Sequence, residues 1–204
     1  MRKMAKSISE ETRHALLEAA WQRMSAPGGI GVGMAEIAAA AGVSRQTLFY
    51  AFGNRPGLLV AMVRHRDRQT DHVRRLIDLA QGGGADQDAL RAFTDTWIDY
   101  LPIVYPVAYQ LESRAAEDPD IALAWNDRFF DRGLRRGYER ILGRMAAAGA
   151  LAPGTDTAWL ADLCLSLVVP SAWHLLVVEC GWKPEKFRAS RHLFMQAAMV
   201  APAR

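Results

Sequence analysis

Residues 33–59 read GMAEIAAAAGVSRQTLFYAFGNRPGLL. This stretch decides the fold. It predicts two short helices, about Met34–Ala40 and Arg45–Ala51, joined by the turn Ala41-Gly42-Val43. Ile37, Ala38 and Ala41 share one face of the first helix, and the two alanines are small enough for a second helix to cross closely. Gly42 stands where a tight turn needs positive φ. Ser44 is a preferred N-cap, whose side chain satisfies an orphan amide of the second helix. Leu48 and Phe52 are four apart and face inward. Arg45, Gln46, Thr47, Phe49 and Tyr50 are left outside, near the helix N-terminus. In a helix-turn-helix that end enters the major groove, and Arg, Gln and Thr suit base edges and phosphates. A helical hairpin alone is common; here it coincides with an uneven charge distribution.

Lys and Arg total 25 against 22 Asp and Glu, a net charge of +3. Residues 1–75 hold 12 Lys/Arg and 6 Asp/Glu, whereas residues 76–204 hold 13 and 16. The first third is therefore basic and the rest mildly acidic, the pattern of a polyanion-binding head on a separate body. Arg2, Lys3 and Lys6 form a basic tail.

The remainder reads as all-α. Ser9 caps a first helix to about Met24, ended by Pro27-Gly28-Gly29. A long helix from Asn54 to about Gln81 has apolar ends and a polar middle, Arg64 to His72, so it is expected to bridge two cores as one rod. The boundary is placed in this connecting helix, with a head of residues 1–55 and a body of residues 56–204. Further helices are expected at Asp86–Leu101, stopped by Pro102; Ile103–Ala115; Asp118 to about Ala148; Asp156–Cys180; and Pro184–Val200.

Cys164 and Cys180 are too few and too distant for a disulfide framework or a CxxC site, and read as small hydrophobes. The segment Ala158–Val178 is apolar but holds Asp162, Pro170 and His174, so it reads as a helix buried against protein and not as a span. No signal peptide is visible, and the chain is expected in the cytoplasm.

The matched positions Ile37-Ala38, Ala41-Gly42-Val43-Ser44, Thr47-Leu48-Phe49-Tyr50, Phe52, Asn54-Arg55 and Leu58-Leu59 resemble the DNA-binding head of the tetracycline-repressor (TetR-like) family of one-component regulators. The resemblance covers about residues 9–60. It implies a three-helix head, a fourth connecting helix, and a body that binds a small-molecule effector and forms a homodimer through its last two long helices. It implies double-stranded DNA, as a palindromic operator, as partner. Carried over residue by residue, the DNA-facing set is Gly33, Ser44, Arg45, Gln46, Thr47, Phe49, Tyr50, Asn54 and Arg55. Arg55 stands where the family usually has a phosphate-contacting Lys. There are departures: Gly33 replaces a Thr or Ser cap, which costs about a few tenths of a kcal/mol; Phe49 replaces Tyr; Ala51 replaces His or Tyr; and Pro56 is unusual.

Aromatics concentrate after residue 90, including five of the six tryptophans. Each reads individually as core. Together Trp97, Tyr100, Tyr105, Tyr109, Trp125, Phe129, Trp173 and His174 are the candidates for lining a site for a small apolar or aromatic effector. His174 has no second His at i+4 and no carboxylate cluster beside it in sequence, so no metal site is expected, and no cofactor. GxSxG, Walker, HExxH and strand-linked GxGxxG motifs are missing, so the chain is not read as an enzyme. An enzyme with an idle head and a protein-only helical adaptor remain the competing classes.

Overall fold

The computed structural model describes residues 8–127, 129 and 133–200; the basic tail Arg2, Lys3 and Lys6, and Phe130, lie outside the described residues. Among those described there are eleven α-helices and no strand. The head comprises α1 (Glu10–Ser25), α2 (Met34–Ala40) and α3 (Arg45–Phe52). Ser9 accepts from the Thr12 amide and caps α1. Leu16, Leu17, Ala20 and Met24 of α1 meet Ile37 and Ala38 of α2 and Leu48 of α3 in the head core.

The predicted connecting rod is two helices, α4 (Arg55–Arg68) and α5 (His72–Gln81), broken over residues 69–71. The polar middle, expected to bridge two cores, contacts the body instead. Asp67 of α4 accepts the Tyr100 hydroxyl at 2.8 Å, while His72 of α5 stacks on the Tyr100 ring at 5.1 Å. Arg64 pairs with Asp127 at 2.9 Å. The polar side chains are therefore spent on neighbouring helices. At the far end of α5, Arg144 donates to the carbonyls of Leu79, Ala80, Gly82 and Gly84, which satisfies the orphan acceptors of a helix terminus.

Pro102 does not stop its helix: α6 runs unbroken from Gln87 to Arg114 through both Pro102 and Pro106. Each proline removes one backbone donor. Pro102 itself is exposed, and the opposite side of the helix is anchored by buried Leu101, Val104 and Val107. The helix expected from Asp118 to Ala148 divides into α7 (Pro119–Asn126) and α8 (Leu134–Ala147), with Gly133 before the second.

The helix expected over Asp156–Cys180 is also broken, into α9 (Thr157–Ser166) and α10 (Pro170–Trp173), the latter continuing as a π-helical segment, His174–Glu179. The two halves are bent by 43°. Pro170 forces the break, because it disfavours helical geometry at the residue before it. Two side chains hold the bend. Glu112 accepts from the Ser171 amide at 2.7 Å and hydroxyl at 2.8 Å. Buried Arg191 donates to the Leu167 carbonyl at 2.8 Å. The last helix, α11 (Pro184–Val200), is as expected. No single helix is long and apolar enough to cross a membrane among the described residues.

Head and body also touch beyond the connector. Gln110 of α6 donates to the carbonyls of Met24 and Ala26 at the end of α1. At the start of α4, Arg55 donates to Asp118, the N-cap of α7, at 2.6 Å. The buried residues of head and body form one continuous cluster.

Candidate nucleic-acid interface and ligand cavity

The turn between α2 and α3 is closed by the Val43 amide on the Ala38 carbonyl at 3.0 Å, with Gly42 at φ +67°. A side chain at that φ would be strained, so glycine is required there. Ser44 accepts from the Thr47 amide at 3.0 Å and shares a hydrogen bond with the Thr47 hydroxyl. Ser44 therefore acts first as a cap, worth about 1 kcal/mol. Asn54 likewise caps α4 through the Gly57 amide at 2.9 Å. Gly33 begins α2 without a side-chain cap.

Leu48 is fully buried and roots α3 in the head; Arg45, Gln46, Phe49 and Tyr50 point to solvent, Tyr50 at 53% exposure. The Arg45 guanidinium lies over the Phe49 ring at 5.3 Å, so Phe49 positions that cation where a tyrosine hydroxyl would have offered a hydrogen bond. An open groove runs between the start of α1 and α3, lined by Ile8, Ser9 and Thr12 on one side and Ser44, Gln46, Thr47 and Tyr50 on the other. Ser9 is legible in the sequence only as a helix cap, and Thr12 carries no signal there; their place beside α3 is a tertiary fact. Arg55 stands apart from this face, turned toward Asp118. The Arg55 guanidinium holds the Asp118 carboxyl below the usual carboxylate range against the opposing effect of burial, and the Ile121 and Asp120 amides add to it.

In the body a cavity of about 460 Å³ opens between α5, α6 and α8. Its walls are Val73, Leu76, Ile77 and Ala80 of α5, Phe93 and Trp97 of α6, Phe129, and Leu134 and Gly137 of α8. Gln81, Arg136, Glu139 and Arg140 supply the polar rim. Trp97 is fixed by its indole N–H on the Val168 carbonyl at 2.9 Å and meets the Phe129 ring edge-on. Gly137 matters here: a Cβ would collide with the Phe93 ring.

Of the eight sequence candidates, only Trp97 and Phe129 line this cavity. Trp125 stacks behind Phe129 at 3.7 Å between centroids, and Tyr100 is fully buried beside Trp97. Tyr105, Tyr109 and His174 form a separate stack, in which the Tyr105 hydroxyl shares a hydrogen bond with His174 Nδ1. Burial, with Tyr109 and Glu179 nearby, pushes the Tyr105 phenol above its ordinary value. Trp173 packs edge-on against Phe187. The aliphatic wall of α5 was passed over because Val73, Leu76, Ile77 and Ala80 read as plain core spacing.

Comparisons with known proteins follow the same division. Residues 16–62 match the family model of bacterial regulatory proteins, tetR family. No curated protein matches the chain. Among solved structures, the chain is similar to a TetR-family transcriptional regulator from Rhodococcus sp. (20% identity, TM-score 0.72, 94% of this chain and 100% of that one). It is similar to FadR, a TetR-family transcriptional repressor from Thermus thermophilus solved with lauroyl-CoA (17% identity, TM-score 0.66, 94% and 97%). It is also similar to the TetR-like regulator LfrR from Mycobacterium smegmatis, solved with proflavine (23% identity, TM-score 0.53, 95% and 98%).

Proposed function

We propose that this chain is a transcriptional regulator of the TetR family, a ligand-responsive repressor that binds a palindromic operator as a homodimer. The observation that carries the DNA reading is the exposed Arg45–Tyr50 face of α3, held out from the head by buried Leu48. Arg45 and Gln46 have the reach and donors to read base edges. Ser9, Thr12 and Thr47 flank them as hydroxyl partners for phosphate.

Dimerisation is supported by apolar surface that a monomer would leave wet. Trp159 of α9, Leu175 and Val178 of the π-helical segment, and Leu193 and Phe194 of α11 are each more than half exposed. Two copies joined through these helices form a two-fold four-helix contact. That symmetry presents two recognition helices to half-sites spaced roughly one DNA turn apart.

The effector is a small molecule with an apolar or aromatic body. The cavity volume of about 460 Å³ falls within the roughly 300–1,000 Å³ of small-molecule sites, and its apolar walls with a short polar rim are their usual lining. The bound lauroyl-CoA and proflavine of the two similar regulators support a ligand in the body. Phe129 lines the cavity just beyond α7, and the N-cap of α7, Asp118, holds Arg55 at the start of α4. Occupation of the cavity shifts α7, and the ion pair passes the shift to the head. Effector affinity and operator affinity are then linked.

The test is selection of bound DNA from a random pool, followed by a mobility shift of the selected sequence against unrelated DNA at matched salt. A repressor of this design yields two-fold related half-sites. An enzyme with an idle head, or a protein-only adaptor, yields no enriched sequence.

A further inference from the structure

We infer that His14, Glu18 and His65 form a divalent transition-metal site, of zinc type, that ties the head to the connecting helix. His14 and Glu18 are four apart on α1 and so share one helix face. His65 reaches them from α4. One ligand atom from each lies within 4.8 Å of the other two. His65 Nε2 is 2.9 Å from Glu18 Oε1, and the two imidazole rings meet edge to face with centroids 4.9 Å apart.

The donor set is two imidazoles and one carboxylate, which suits zinc and its borderline neighbours over magnesium or calcium. Zinc bonds of about 2.0–2.2 Å require the three donor atoms to draw closer than they stand. His14 is exposed and can rotate inward without disturbing the core. Three protein ligands leave a fourth position for water.

The surroundings are those of a ligand carboxylate already held in place. Gln69 Nε2 donates to Glu18 Oε1 at 2.6 Å, and Arg66 Nη2 donates to Oε2 at 3.3 Å. Gln69 Nε2 also lies 3.0 Å from His65 Nε2, a contact that a metal on that nitrogen displaces, and Arg66 is itself seated over the Trp21 ring. Such outer partners orient ligands and tune affinity. Arg66 keeps to the oxygen away from His65, so Oε1 is the metal-facing atom. Bound metal replaces the His65–Glu18 hydrogen bond by two coordinate bonds across the α1–α4 seam. The seam lies where a change in head angle must pass. This site does not depend on the identity of the cavity ligand or of the operator.

The experiment uses the full chain freed of metal by chelator. Zn(II) is titrated in competition with a chromophoric chelator, and Co(II) is titrated with its visible ligand-field bands as the readout. The expected result is one metal per chain, with the intense Co(II) absorption of low-coordinate geometry. His14→Ala and Glu18→Gln each weaken Zn(II) binding by more than about tenfold, and Gln69→Ala by about tenfold. His174→Ala and His192→Ala, which remove the other two histidines that pair with carboxylates, leave it unchanged. Zn(II) raises the melting temperature of the wild type and not of His14→Ala, whose exposed position keeps the fold intact. Equal Zn(II) affinity in the wild type and His14→Ala, or a pale octahedral Co(II) spectrum, overturns the assignment.

Discussion

Arg55 and Asp118 are joined across sixty-three residues by a 2.6 Å ion pair. One begins the helix that leaves the helix-turn-helix head; the other caps the helix that leads to the body cavity. Both Asp118 oxygens are employed: Oδ1 accepts the Asp120 and Ile121 amides and Oδ2 accepts Arg55.

The pair gives a pH signature. The folded-state pKa of Asp118 is depressed, with the Arg55 bond as its largest cause. Its contribution is therefore complete at neutral pH and down to the ordinary carboxylate range. It declines as pH falls from the unfolded-state value and is gone once pH has passed the depressed folded value. An NMR titration of the Asp118 carboxyl carbon in the wild type and Arg55→Ala checks this. The midpoint should rise in the variant, because the largest cause of the depression is removed; an unchanged midpoint contradicts the pairing.

Gly137→Ala tests the cavity wall. The new methyl collides with the Phe93 ring, which must swing toward the cavity or strain α8. Overpacking of this kind costs about 1–3 kcal/mol, or roughly 2–4 °C of melting temperature per kcal/mol for a chain of this size. Thermal denaturation followed by circular dichroism measures it. A variant that melts with the wild type would mean the ring is not held where it stands.

Arg144→Ala should lower stability by about 1–3 kcal/mol, because charge-assisted bonds to the carbonyls that end α5 are lost. Arg144→Lys should recover little, since one ammonium cannot reproduce the forked geometry. Chemical denaturation of the three proteins is the measurement, and full rescue by lysine would contradict the fork.

Leu193→Glu addresses assembly. Leu193 is 66% exposed, so a charge there leaves the monomer fold intact. On the proposed two-fold contact it places like charges in an apolar seam. Sedimentation velocity should show the wild type as a dimer and the variant shifted to monomer. Two identical profiles would remove α11 from the interface.

Much of the head was legible because its signals are local. Gly42, Ser44, Leu48 and Asn54 each do what residue chemistry assigns them. The elements misjudged are those where partners distant in sequence decide. The polar run from Arg64 reads as the middle of one rod because its partners Asp127 and Tyr100 are far along the chain. Pro102 looked like a stop because its exposed side was unknown, whereas Pro170 did break its helix and was underweighted. Aromatic residues drew attention to Trp97 and Phe129, but the stack of Tyr105, Tyr109 and His174 sits elsewhere, and the α5 wall carries no aromatic to mark it. His14 and Glu18 do stand at helical spacing in the sequence; nothing there points to His65 as their third partner.

The central claim is that the exposed face of α3 reads DNA. Fluorescence anisotropy of the wild type, Arg45→Ala and Gln46→Ala on the selected operator, across a salt series, tests it most directly. The account predicts wild-type binding that weakens steeply with salt. It predicts a loss of about 1–3 kcal/mol for each variant where a base contact is removed, with melting temperatures unchanged because both side chains are exposed. Binding that is indifferent to salt, or variants that bind the selected sequence as tightly as the wild type, would contradict it.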